Sequence, residues 1–305
     1  MERGEKIETI GKYAATLSII EVALGSLLHS LRIPFTGNFL SLNQGYLLCR
    51  ASLSAKSTGA SVAYSISNVA AVLKSLAPAG KKLGPMLSLS MQGLLFSAGL
   101  WLGRESLLGL IFGMVLLSLW TFLQPIITYY LFFGSELFQA GQYLLDKTFP
   151  YHGFTVTELL FFLLCLVVGK AIAAAALAIW AWKTNGQGHW QENLLRWAQE
   201  KGVRPLEGKG KRGSPVLLAL RDLLHPLFLL SLLTTAFFLF FSQHEWGEKI
   251  WILLRPLAIG FLFFYFSRTL TLEKWLKKLH GGRLGNFAAA SEQALKKLRG
   301  ERPTT

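Results

Sequence analysis

Long apolar runs constrain this chain more than any other feature, because a helix that crosses a bilayer core needs about 20 mostly apolar residues. Seven runs reach or approach that length, at 13–33, 61–76, 83–103, 107–133, 156–182, 216–241 and 250–267, and a shorter one lies at 39–55. Only 16% of the residues are charged, where soluble domains carry about 25%. The expected fold class is therefore all-α, a polytopic integral membrane helix bundle. Residues 1–12 are polar and mixed in charge, and no small-residue cleavage pattern follows the first apolar run, so that run reads as a retained helix and not a signal peptide.

Whether 39–55 crosses decides the topology. Crossing places Lys183, Arg196, Lys201, Arg204, Lys209, Lys211 and Arg212 on the cytoplasmic side together with the basic tail, and strands only Lys74, Lys81, Lys82 and Lys147 outside. Not crossing strands the larger cluster. The positive-inside bias favours the first arrangement, which has about eight spans, both termini cytoplasmic, and a place in the cell inner (cytoplasmic) membrane of a bacterium. The excess of Lys and Arg over Asp and Glu, 31 to 17, follows from such loops, and no nucleic-acid partner is expected.

Four regions result: a six-span module at 1–183, a basic cytoplasmic linker at 184–215, a two-span extension at 216–268, and a cationic amphipathic cytoplasmic tail at 269–305. Within the linker, Trp190, Leu194, Leu195 and Trp197 share one helical face beside Arg196 and Lys201, as in a helix lying on a membrane surface. In the tail, Leu295 and Leu298 alternate with Lys296, Lys297 and Arg299. That pattern reads as a basic helix near anionic headgroups, with docking to a partner protein as the alternative.

Catalytic and metal signatures are missing. Cys49 and Cys165 form no zinc spacing, and there is no HExxH, GxSxG or paired-carboxylate motif. No cofactor or metal is expected, and the chain reads as a non-enzyme. Two other readings stay open. One is a membrane enzyme acting on lipid or isoprenoid headgroups through Asp222 and His225, beside Arg221 at the start of the seventh span. The other is a non-catalytic scaffold subunit of a membrane complex.

Polar groups inside apolar runs are costly and mark candidate sites. Glu21 in the first span and Lys170 in the sixth fall at similar depth, so an intramembrane ion pair between them is expected. Residues 33–50, IPFTGNFLSLNQGYLLCR, bring Asn38, Asn43 and Gln44 to the lip of the bundle, with His29 one turn before the outer end of the first span. Pro125 removes the donor for the carbonyl of residue 121 and tends to kink its helix beside Trp120 and Gln124. Such a helix is a reasonable pocket wall, while Tyr129, Tyr130, Phe132 and Phe133 read as an interfacial aromatic belt. Gln92 is suited either to interhelical bonding or to ligand contact. Small residues at Gly93/Ser97, Gly99/Gly103 and Gly109/Gly113 permit close helix approach.

The polar first outer loop (IPFTGNFLSLNQG) and the glycine-rich fourth and fifth helices (LGPMLSLSMQGLLFSAGLWLG, GLIFGMVLLSLWTFLQP) over residues 10–183 resemble the substrate-binding S components of energy-coupling-factor transporters. The resemblance implies a six-helix protein that binds a small molecule or lipid at its outer half. It would pass that ligand inward with a T component and two ATPases. It also implies that Asn38, Asn43, Gln44, Gln92, Trp120, Gln124 and Lys170 surround the ligand. The chain departs from the family in lacking a clean AxxxA pattern in its first helix and in the roughly 120 residues after the sixth span, counted from the sequence length.

Overall fold

The computed structural model describes residues 3–21, 25, 36–55, 58–74, 83–135, 139, 156–184, 193, 196, 214–224, 226–240, 245–269 and 285–299. These residues are helical almost throughout and include no strand. In chain order the helices are α1 (Arg3–Ile19), α2 (Thr36–Ala55), α3 (Gly59–Lys74), α4 (Leu83–Leu102), α5 (Leu107–Phe133), α6 (Val156–Lys183), α7 (Pro215–Leu223), α8 (Pro226–Phe240), α9 (Trp246–Thr269) and α10 (Gly285–Arg299). The all-α bundle matches the sequence expectation.

Among the described residues, four helical segments are long and apolar enough to cross a membrane: Gly84–Leu102, Leu107–Phe133, Leu160–Lys183 and Trp246–Phe266. A fifth forms if Pro215–Leu223 and Phe228–Phe237, bent by 56°, are taken as one span. These mark a membrane protein, with fewer recognisable spans than the eight expected. Much of the run at 13–33 lies outside the described residues, and a further reason lies in α2 and α3. At 1.5 Å per residue the 16 residues of α3 cover only about 24 Å. In α2, Gln44, Leu47, Leu48, Cys49 and Ala51 are fully buried and Arg50 is 1% exposed. A helix sheathed by protein need not be apolar all round, so hydropathy ceases to report its depth.

The helices sort into two compact units. The first comprises α1 to α4, α5 as far as Phe122, α6 from Cys165, and α10. The boundary between the two compact units falls inside α5 and α6. In this unit α1 packs on α2, α3 and α10, and α3 packs on α2, α4 and α10. Leu17, Leu47, Leu48, Ile66, Phe96, Leu100, Met114 and Leu117 form its core. The close-approach glycines behave as expected: a methyl on Gly99 would overlap the backbone of Gly113, and one on Gly103 that of Gly109. These paired glycines set α4 directly against α5.

The C-terminal helix differs most from expectation. Rather than resting on lipid with its apolar face, α10 inserts Ala288, Ala290, Ala294, Leu295 and Leu298 into the first unit. Arg3 Nε donates to Asn286 Oδ1 at 2.8 Å, and Lys297 lies 3.9 Å from Glu8. The linker helix, apart from residues 193 and 196, and the tail between 270 and 284 lie outside the described residues.

The second unit comprises α5 from Leu123, α6 to Leu164, and α7 to α9. Helix α9 packs on α7 and α8, with Phe264 edge-on to Phe228 at 6.3 Å. Pro226 cannot supply the N–H that would continue α7 into α8, which accounts for the break in the expected single span. Gly134 closes α5 with φ 65°, and a Cβ there would fall 2.6 Å from Arg255 Nη1. The Arg255 guanidinium therefore stands at the negative end of the α5 dipole. Tyr129 and Tyr130 are exposed, and Tyr129 stacks on Phe133 at 6.4 Å.

Candidate functional site

Lys170 stands near the middle of α6, about 20 Å from either helix end at 1.5 Å per residue. Its side chain is too short to carry the charge to an interface. An ammonium at such depth costs roughly 2.5–3.5 kcal/mol on insertion scales, so its surroundings must supply acceptors.

They do so from two other helices. Lys170 Nζ donates to Asn38 Oδ1 in the first turn of α2 at 2.7 Å and to the Ser118 carbonyl of α5 at 3.0 Å. Its third donor goes to Thr121 Oγ1. Ser118 and Thr121 are three residues apart and so share one face of α5. Thr121 Oγ1 in turn lies 2.7 Å from Asn38 Oδ1 and 3.0 Å from the Ser118 carbonyl, one of which receives its proton. The Phe122 ring centroid is 5.1 Å from Nζ, near enough for its negative face to attract the cation. All three ammonium donors are used, by neutral oxygens. Lys170 is 8% exposed, and among the described residues no carboxylate pairs with it.

The expected Glu21–Lys170 pair does not form. Glu21 is paired instead with Lys74 at the end of α3, whose Nζ lies 3.4 Å from Glu21 Oε2 and donates to the Glu21 carbonyl at 2.7 Å. Helix order explains the change, because α1 packs against α3. The Lys74 side chain is only 14% exposed. It therefore belongs to the bundle interior and drops out of the loop charges that the topology weighed.

Each of the remaining expected site residues has its own local setting. Gln44 Nε2 donates to Ser67 Oγ of α3 at 3.2 Å and to the Leu89 carbonyl of α4 at 3.1 Å, while its Oε1 has no partner among the described residues. Among the described residues Asn43 Nδ2 and Trp120 Nε1 are buried donors without acceptors. Leaving such a group unmet costs about 1–3 kcal/mol. Gln92, 4% exposed, donates to Ser88 Oγ of its own helix at 2.9 Å. Gln124 falls in the second unit and is partly buried. His29 and His225 lie outside the described residues.

Several participants escaped sequence reasoning. Ser118 and Thr121 carry a readable signal, two hydroxyls at i, i+3 in an otherwise apolar run. Arg50 carries another, a guanidinium inside a buried stretch, where it stands 5.9 Å from the Tyr46 ring centroid. Among the described residues no group of three His, Cys, Asp or Glu side chains is placed to hold a metal. No protein-family model matches this chain, and comparison with curated proteins and with solved structures gives no match.

Proposed function

We propose that this chain is a non-enzymatic, multi-pass protein of a cell inner membrane that binds a small anionic molecule at Lys170 and passes it inward with partner subunits. The S-component-like first 183 residues are the basis for the transport reading, with a T component and ATPases as the class of partner. The observation that carries the ligand class is the Lys170 ammonium itself, buried at mid-helix and held by neutral oxygens with no described counter-ion. A ligand carboxylate or phosphate that replaces one of those oxygens supplies the missing charge, and a dry site makes that exchange worth more than it would be in water. The unmet Asn43 and Trp120 donors support an acceptor-rich ligand in the same unit. Contact between α1 and α10, sealed by Arg3 and Asn286, supports both termini lying on one side.

Mass spectrometry of small molecules released from denatured, purified protein tests this reading. An anion present at about one per chain in the wild type and absent from a folded Lys170→Met variant supports it. Identical extracts from the two proteins refute it.

A further inference from the structure

A cavity lies in the first unit, at the end where α2 finishes and the α4–α5 turn meets the last turn of α6. Its volume is about 370 Å³ and its lining includes Ser52, Leu53, Arg104, Glu105, Leu110 and Trp182. Lys170 and Trp182 are separated by about 18 Å along α6 at 1.5 Å per residue, so this cavity is not the Lys170 site and does not depend on how that site is read. Its size falls within the roughly 300–1,000 Å³ of small-ligand pockets.

The turn that supplies its charges is unusual. Arg104 and Glu105 both have left-handed backbone conformations, φ 51° and 55°. Non-glycine residues in that region are strained and persist only where their surroundings enforce them. Here the adjoining Gly103 is pressed against Gly109, the Glu105 N–H reaches the Leu100 carbonyl at 2.9 Å, and the Ser106 N–H reaches the Gly103 carbonyl at 3.1 Å.

The turn keeps two opposite charges beside one another without letting them cancel. Glu105 Oε1 accepts from the Ala60 N–H in the first turn of α3 at 3.1 Å, which leaves its second oxygen open. Among the described residues the Arg104 guanidinium has no hydrogen-bond or ion-pair partner. Trp182 adds an aromatic face that attracts ammonium groups. Trp101 and Leu102, 76% and 61% exposed, carry an apolar surface up to the same turn. A cation, an anion and an indole around a cavity with an apolar approach match a zwitterion on an acyl chain.

We propose that this cavity binds the zwitterionic headgroup of a phospholipid, its phosphate on Arg104 and its ammonium between Glu105 and Trp182. A net-anionic headgroup would bring no cation to the Glu105 carboxylate. A free phosphate would leave both Glu105 and the apolar approach unused.

Native mass spectrometry of the full chain in detergent, with phosphatidylethanolamine and phosphatidylglycerol of matched acyl chains added at equal concentration, tests this. The wild type is expected to retain phosphatidylethanolamine preferentially. Arg104→Gly should weaken that retention about tenfold, the size of one charge-assisted hydrogen bond. Glycine suits φ 51° and relieves strain, so this variant stays folded and its loss of lipid is not unfolding. Glu105→Gln still accepts from Ala60 and should bring retention of the two lipids level. Inorganic phosphate and soluble glycerophosphoethanolamine are added as competitors, and neither should displace the lipid at equal concentration. Undiminished retention in Arg104→Gly, equal retention of both lipids by the wild type, or displacement by phosphate alone would each overturn the proposal.

Discussion

The Lys170 ammonium and the Asn38 side-chain oxygen stand 2.7 Å apart, joining residues 132 positions apart in the chain. A neutral amide here holds a cation in place without discharging it. Asn38→Asp would put a carboxylate at that distance, and the resulting buried pair should raise the melting temperature in detergent. The same change should abolish anion release in the extraction experiment, because the charge that held the anion is already met. Asn38→Leu removes an acceptor instead, and should destabilise by about 1–3 kcal/mol. Thermal unfolding of both variants checks the signs, and a shift in the same direction for both contradicts this account.

Glu21 and Lys74 should be energetically coupled, whereas Glu21 and Lys170 should not. A double-mutant cycle with Glu21→Gln and Lys74→Met is expected to give roughly 0.5–3 kcal/mol of interaction, since both side chains are largely buried. The parallel cycle with Lys170→Met should be additive to within about 0.5 kcal/mol. Coupling in the second cycle and none in the first would reverse the assignment.

Helix α4 and helix α5 meet through glycine. Gly113→Leu should therefore destabilise the first unit by about 1–3 kcal/mol or more through overpacking. Gly169→Ala provides the control, because a Cβ there meets nothing within 4 Å. It should leave stability unchanged or raise it by up to about 1 kcal/mol. Equal losses in the two variants, measured by denaturant or thermal unfolding, would show that glycine content and not helix approach sets the effect.

The docked position of α10 can be read by proteolysis. Ala294 is fully buried, so Ala294→Glu forces an unpaired charge into the contact with α1 and α3. Residues 285–299 should then be cleaved at protease ratios that leave the wild type intact. Wild-type resistance in the variant would place α10 elsewhere.

The membrane character and all-helical fold are legible in the sequence because lipid imposes a length and composition on each exposed helix. The same physics makes α2 and α3 hard to read: once protein surrounds them, their polar residues are met by partners that hydropathy does not register. Lys170 stood out as a buried charge, yet its acceptors depend on which helices adjoin α6, and that order has no local signature. For α10 the difficulty is of another kind. Alternating leucine and lysine gives one apolar face, and a membrane surface or a groove between helices satisfies that face equally well. Glu21 meets Lys74 and not Lys170 because adjacency in the bundle, not shared depth in the bilayer, decides its partner.

Arg3 and Asn286, bonded across 283 positions, also bear on how the molecule is made. At the usual synthesis rate of about 5–20 residues per second, α1 waits roughly 14 to 60 seconds before its partner emerges. Throughout that interval α1 has α2 and α3 to pack on, and only the strip that α10 covers is without its partner. A chain lacking Gly285–Arg299 would therefore leave the first unit without the helix that covers this side of α1 and α3.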